Sequence, residues 1–232
     1  MINQLKYNLV RSNRKTISIR VTKDGLVEIR APLKIRKKAI DDFVLLKQEW
    51  ILKNVAKANE LKESRRAFSL DYGDDILLRG KPYPLVEGLG EMAGFDGHCF
   101  YIPKGLSSED RKQVVIQIYK RVATQYLGDR AMHFGKKIGL IPVSVKVNNA
   151  KTRWGSCSSK KSINFSWRLI MAPDQVIDYV IVHELAHLQE LNHSPRFWGL
   201  VESILLDYKN RQKELKEFQK KIAAENWELW SL

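Results

Sequence analysis

His183-Glu184-Leu185-Ala186-His187-Leu188-Gln189-Glu190-Leu191-Asn192-His193 holds three of the chain's five histidines. The stretch is an H-E-x-x-H element followed, six positions after its second histidine, by a third. On a helix, His183 and His187 lie one turn apart on the same face, so two imidazoles can converge on one ion. Glu184 sits one position round from that pair, placed to take a proton from a water molecule rather than to bind the metal. Three histidine donors would leave the fourth position of a tetrahedral Zn²⁺ open, which separates catalytic from structural zinc. The stretch therefore predicts one catalytic Zn²⁺ per chain on a central helix, with His183, His187 and His193 as ligands and Glu184 as base.

The flanks agree. The preceding run Val176-Ile177-Asp178-Tyr179-Val180-Ile181-Val182 is apolar nearly all round, as in a helix buried at the centre of a domain. The following Asn192-His193-Ser194-Pro195 reads as a helix stop and restart. Asn192 tolerates a left-handed C′ position, Ser194 is a good N-cap, and Pro195 suits the first helical position. A break there lets His193 turn back towards the first two histidines.

At 232 residues the chain can hold one domain or two small ones. Hydrophobic residues at 44% and charged residues at 28% are ordinary for a soluble globular protein. No apolar run approaches the roughly 20 residues of a membrane span, and the first residues lack the apolar core of a signal peptide. The two cysteines, Cys99 and Cys157, are far apart and form no C-x-x-C pattern, which fits a reducing cytoplasm as the expected location. Forty Lys+Arg against 26 Asp+Glu give a net charge of +14. Such an excess favours polyanions or phosphorylated substrates, so a nucleic-acid partner is allowed by charge, although no reader motif points to one.

Short alternating segments at residues 5–10, 16–22 and 26–31 read as strands, with Asp24-Gly25 as a hairpin signal. Pro32 ends that run, and helical spacing of Ile40, Phe43, Val44, Ile51, Val55 and Ala58 predicts one long helix over about 36–64. Glycines and prolines then punctuate short strands up to residue 97. A second long helix is expected over about 108–139, followed by strands at 143–147 and 163–167 with a Gly/Ser-rich turn around Gly155. Three more helices are expected, after Pro173, from Pro195 and over about 207–227. In the last, Leu215, Phe218 and Ile222 form a core stripe and the lysines a solvated face.

The block Lys151-Thr152-Arg153-Trp154-Gly155-Ser156-Cys157-Ser158-Ser159, the segment Trp167-Arg168-Leu169, the three-histidine stretch and Asn192-His193-Ser194-Pro195-Arg196-Phe197-Trp198 occur in one order. Together they resemble the YgjP-like metallopeptidase family of zinc-dependent hydrolases, over most of the chain. The site is similar to that of SprT-like and WLM-type proteases, which act on DNA-bound proteins. The resemblance implies an α+β fold: a strand-rich part with one long helix over residues 1–105, then a zincin-like helical metal-site domain with antiparallel strands over residues 106–232. It also implies His183, His187 and His193 as zinc ligands and Glu184 as catalytic base. Some members carry the name nucleotide (UTP) pyrophosphatase, so membership leaves the substrate open.

In metzincin-type sites the third histidine has the offset of His193, but a glycine stands where this chain has Glu190. The other known solution takes a downstream glutamate, and Glu202 is the alternative third ligand here. Of the two, His193 is favoured, because neutral imidazole is a common zinc donor and this segment is built to turn. The R-W-G-S-C block has two readings. As a groove loop, Arg153, Trp154 and Arg168 would line the substrate site, an arginine steadying an oxyanion or a phosphate. As a tight turn, Gly155 would permit the backbone while Trp154 packs. Cys157 is not read as a nucleophile, since no histidine is near it in sequence. The expected reaction is metal-assisted hydrolysis of a peptide bond. Phosphoanhydride hydrolysis of a nucleoside triphosphate is the alternative, and a DNA-associated protease of SprT-like type the second alternative. Glu184 argues against a non-catalytic metal module, which has no use for that carboxylate.

Overall fold

A computed structural model describes residues 5–223, 225 and 227. It is an α+β protein that divides into two compact units, residues 1–68 with 223–226 and residues 69–222 with 227–232.

In the first unit, β1 (Asn8–Ser12), β2 (Ser18–Val21) and β3 (Val27–Pro32) form a sheet of order β1-β3-β2. The Asp24-Gly25 signal holds: β2 runs antiparallel to β3, and Gly25 takes φ 79°, a conformation glycine reaches without strain. β1 pairs parallel to β3 with Leu9 opposite Ile29. Val27, Ile29 and Ala31 point to one face and meet Ile40, Val44 and Ile51 from the helices. The single helix expected over 36–64 is two helices, α1 (Lys37–Leu46) and α2 (Gln48–Ala67), interrupted at Lys47 (φ −102°, ψ 9°). The interruption lets two short helical faces, Ile40/Val44 and Ile51/Val55, share one small cluster.

The second unit carries β4 (Asp75–Leu78), β5 (Lys81–Glu87), β6 (Gly94–Phe95) and β7 (Phe100–Ile102), in the order β4-β5-β7-β6. A boundary at residues 105/106 does not match the compact units, because these strands group with the helices C-terminal to them. Arg79 and Gly80 N–H donate to the carbonyls of Ile170 and Met171 (2.8 and 3.1 Å), and the Arg79 guanidinium grips Asp174 at 2.6 and 2.7 Å. Helix α3 (Ser108–Ile138) starts where Ser107 Oγ accepts from Asp110 N–H and ends at left-handed Gly139.

β8 (Ser144–Asn148), β9 (Gly155–Cys157) and β10 (Ser162–Ser166) form a sheet of order β8-β10-β9. It is mixed rather than antiparallel, since β10 is parallel to β8 and antiparallel to β9. A 3-10 turn, Trp167–Met171, leads into α4 (Asp174–Ala186), which lies against α3, β9, α5 (Pro195–Ile204) and α6 (Tyr208–Ile222). Residues 176–182 are buried without exception, as the all-round apolar run requires. The one charge among them, Asp178, receives both arms of Arg130 at 2.7 and 2.8 Å, which ties α4 to α3. Arg211 of α6 lies 3.8 Å from the same carboxylate, so this buried charge is compensated from two helices. Among the described residues no helix is long and apolar enough to cross a membrane.

Candidate metal centre

α4 ends at Ala186, and His187 is its C-cap (φ −66°, ψ −14°). The chain then tightens: Leu188, Gln189 and Glu190 N–H donate back to the carbonyls of Leu185 and Ala186. Ser194 Oγ accepts from Phe197 N–H and Pro195 opens α5, as the sequence indicates. Asn192 does not take the expected left-handed role: the described non-glycine residues with positive φ are Arg79 and Lys161. The turn is made without a positive φ, with Ser194 N–H closing on the Asn192 carbonyl.

This path brings His193 to the other two histidines. The ligand atoms of His183, His187 and His193 all lie within 4.8 Å of one another, and Nε2 of His183 is 3.1 Å from Nε2 of His193. Two imidazole nitrogens on one tetrahedral zinc at 2.0–2.1 Å would stand roughly 3.3 Å apart, so the donor set fits that ion. Nδ1 of His187 lies 3.0 Å from the Glu190 carbonyl. A carbonyl only accepts, so Nδ1 carries the proton and Nε2 keeps its lone pair. Burial, then the neighbouring His187 and His193, push His183 down to about 3, which keeps it neutral as a ligand must be. His193 is lowered as well, by burial and then by His187. Glu202 is exposed on α5 and lies outside the cluster.

Aromatic rings hold the three imidazoles. Phe197, fully buried, has its ring centroid 4.9, 4.6 and 4.8 Å from those of His183, His187 and His193. Trp198 stacks on His193 (5.7 Å, 24°) and is itself stacked on Tyr208 (5.4 Å, 18°). His183 Nδ1 is buried with no hydrogen-bond partner among the described residues, so packing rather than an acceptor orients that ring. Sequence reasoning gave Phe197 and Trp198 no role, and their place directly after the capped turn was the signal.

Glu184 is buried, and desolvation pushes its carboxyl up to about 7, against a smaller opposing pull from Arg153. β9 runs beside it. A Cβ added to Gly155 would stand 2.5 Å from Glu184 Cγ and 2.6 Å from Oε1. Gly155 is therefore a strand residue whose missing side chain makes room for Glu184, not the pivot of a turn. Ser158 and Ser166 N–H donate to the carbonyls of Ser162 and Trp154. In an antiparallel ladder bonded and non-bonded pairs alternate, so the main-chain groups of Gly155 and Cys157 face the unpaired edge of β9.

The other loop residues separate. Arg153 is exposed and its charge is felt at Glu184. Trp154 packs on Phe218 of α6 (5.6 Å), and the Arg168 guanidinium lies 4.5 Å over the Trp167 ring. Burial and then the charge of Glu184 hold the Cys157 thiol above its usual range, which makes it a poor nucleophile.

A family model described as YgjP-like, metallopeptidase domain, matches residues 15–218. Among solved structures, the chain is similar to the metallopeptidase zymogen of Pyrococcus abyssi abylysin. The identity is 21% and the TM-score 0.37, covering 41% of this chain and 94% of that one. It is also similar to the zymogen of Methanocaldococcus jannaschii jannalysin, at 21% identity and TM-score 0.36, covering 41% and 97%. No curated protein matches the chain.

Proposed function

The chain belongs to the YgjP-like metallopeptidase family, and from that premise we propose that it is a zinc-dependent peptidase. His183, His187 and His193 would hold the ion, and Glu184 would be the general base. The convergence of three neutral imidazole donors beside one buried carboxylate carries this reading. When bound, zinc supplies Lewis-acid polarisation and makes a water acidic enough to lose its proton near neutral pH.

Glu184 would accept a proton from the water that attacks the peptide carbonyl and return it to the departing amine. Burial raises the Glu184 carboxyl above the ordinary carboxylate range in the metal-free protein, and a raised carboxyl is the stronger base once ionised. Gly155 and Cys157 offer main-chain groups to an extended substrate segment, which would add a strand at the edge of β9. Arg153 remains the loop residue placed to meet substrate beside Glu184; Trp154 and Arg168 act as packing.

An activity panel on zinc-loaded protein tests the proposal, with unfolded proteins and peptides set against UTP and other nucleoside triphosphates, and Glu184→Gln as the blank. Peptide cleavage should fall by about 10²–10⁴-fold in the blank. Pyrophosphate release that disappears in the blank, with no peptide cleavage, would replace this reading by the pyrophosphatase one.

A further inference from the structure

Arg153 stands two residues before Gly155, where the chain enters β9. The backbone already follows the ladder at Trp154, whose carbonyl accepts from Ser166 N–H at 2.8 Å. Successive residues of a strand point to opposite faces. Trp154 sends its ring to Phe218 of α6 (5.6 Å), so Arg153 falls on the face where Gly155 meets Glu184. Arg153 is exposed and makes no hydrogen bond or ion pair among the described residues. The sheet around it supplies no carboxylate either. Residues 131–173, which contain β8, β9 and β10, hold six lysines, two arginines and neither aspartate nor glutamate. The acid on this face is Glu184, which is buried and already assigned to the reaction.

We propose that Arg153 is a specificity-determining residue that selects substrates with a carboxylate close to the scissile bond, which makes acidic stretches of polypeptide the substrate class. The inference rests on the peptidase reading and on a substrate strand added at the open edge of β9. In such a strand every second side chain lies on the Glu184 face. The residue two places along from the one opposite Gly155 therefore stands opposite Arg153. A carboxylate there completes a cross-strand ion pair, and the guanidinium fork can meet both of its oxygens. An unmodified polypeptide carries carboxylates on Asp and Glu side chains and at its C-terminus, and both have this chemistry. A nucleic acid fits the same surface less well. It has no amide ladder to add to β9, and no Phe, Tyr or Trp of residues 131–173 is exposed for a base to stack on.

The test is kcat/KM of the zinc-loaded full chain on matched peptide pools that carry Glu, Gln or Lys at the varied positions, all amidated at the C-terminus. A Gln pool with a free C-terminal carboxylate separates the two sources. The wild type should favour carboxylate over Gln amide by roughly 2- to 5-fold, the size of an exposed cross-strand ion pair. The preference should shrink as salt rises. Arg153→Gln should erase it, and Arg153→Glu should reverse it in favour of Lys. Polyglutamate should compete with the Glu pool better than a polythymidine strand does. Melting curves and zinc content confirm that each variant is folded and loaded. Anisotropy of the same pools on zinc-loaded Glu184→Gln, with and without Arg153→Gln, reads the preference without turnover. If the wild type cleaves no pool, the peptidase reading fails by itself, and the order of binding still decides this inference. The proposal is overturned if the wild type treats carboxylate and amide pools alike, or if polythymidine competes better than polyglutamate. It is equally overturned if Arg153→Gln slows every pool by one factor and keeps their order, since Arg153 would then act through Glu184 alone.

Discussion

Replacing Gly155 by alanine adds one methyl group against the carboxylate that the mechanism depends on. That Cβ would stand 2.5, 2.6 and 2.8 Å from Cγ, Oε1 and Cδ of Glu184, where 3.4 Å begins ordinary contact. Glu184 is buried between α4 and β9, so it cannot swing into solvent and must give by about 1 Å. A misplacement of that size at a reacting group costs on the order of 10²-fold in rate. Overpacking of this kind also costs about 1–3 kcal/mol of stability, a fall of roughly 2–12 °C in melting temperature for a domain of this size. Gly155 has no positive φ, so alanine introduces no backbone strain and the steric effect stands alone. The assay is kcat/KM on a peptide substrate with zinc content and melting temperature measured on the same sample. The expected variant is folded, binds zinc at wild-type stoichiometry and is about 10²-fold slower. Wild-type kcat/KM would refute the reasoning, as would zinc loss in proportion to activity.

His183→Ala or His187→Ala should abolish stoichiometric zinc, measured by elemental analysis, because two remaining donors hold the ion poorly. His193→Ala should weaken zinc binding severely while Glu202→Ala leaves it almost unchanged in a chelator-competition titration; the reverse order would move the third ligand to Glu202. In metal-free protein, burial holds the Glu184 carboxyl at about 7 against 4.5 in an open chain, so the folded state keeps the proton longer. Its contribution is therefore present below 4.5 and lost as pH rises through 7. Glu184→Gln removes that loss and should be more stable than wild type by roughly 3 kcal/mol near pH 8, at about 1.4 kcal/mol per pH unit. Near pH 4 urea denaturation should show no gain, and a gain independent of pH would contradict the assignment.

The histidine triplet was legible because its signal is local: i, i+4 spacing, a buried run before it and a capped restart after it. The third histidine's approach was legible for the same reason, although the turn is made without the positive φ that Asn192 promised. What the sequence withheld depends on contacts between distant segments. Gly155 reads as a turn glycine until β9 is laid beside α4 and its neighbour proves to be Glu184. The Glu190 residue mattered through its carbonyl, which orients His187, and no side-chain motif reports a carbonyl. The interruption at Lys47 has no glycine or proline to announce it; only the shared cluster of Ile40, Val44 and Ile51 explains it. Residues 69–105 look like a continuation of the N-terminal strands, and hydrogen bonds from Arg79 and Gly80 to the 3-10 turn assign them to the second unit.

X-ray absorption at the zinc edge of the purified wild-type protein tests the central claim most directly, since it reads the donor atoms themselves. One zinc per chain with three imidazole nitrogens at about 2.0–2.1 Å and no sulfur is the predicted spectrum. A sulfur scatterer at about 2.3 Å would bring Cys157 or Cys99 into the site. That result, or a protein that takes up no stoichiometric zinc, would contradict the account.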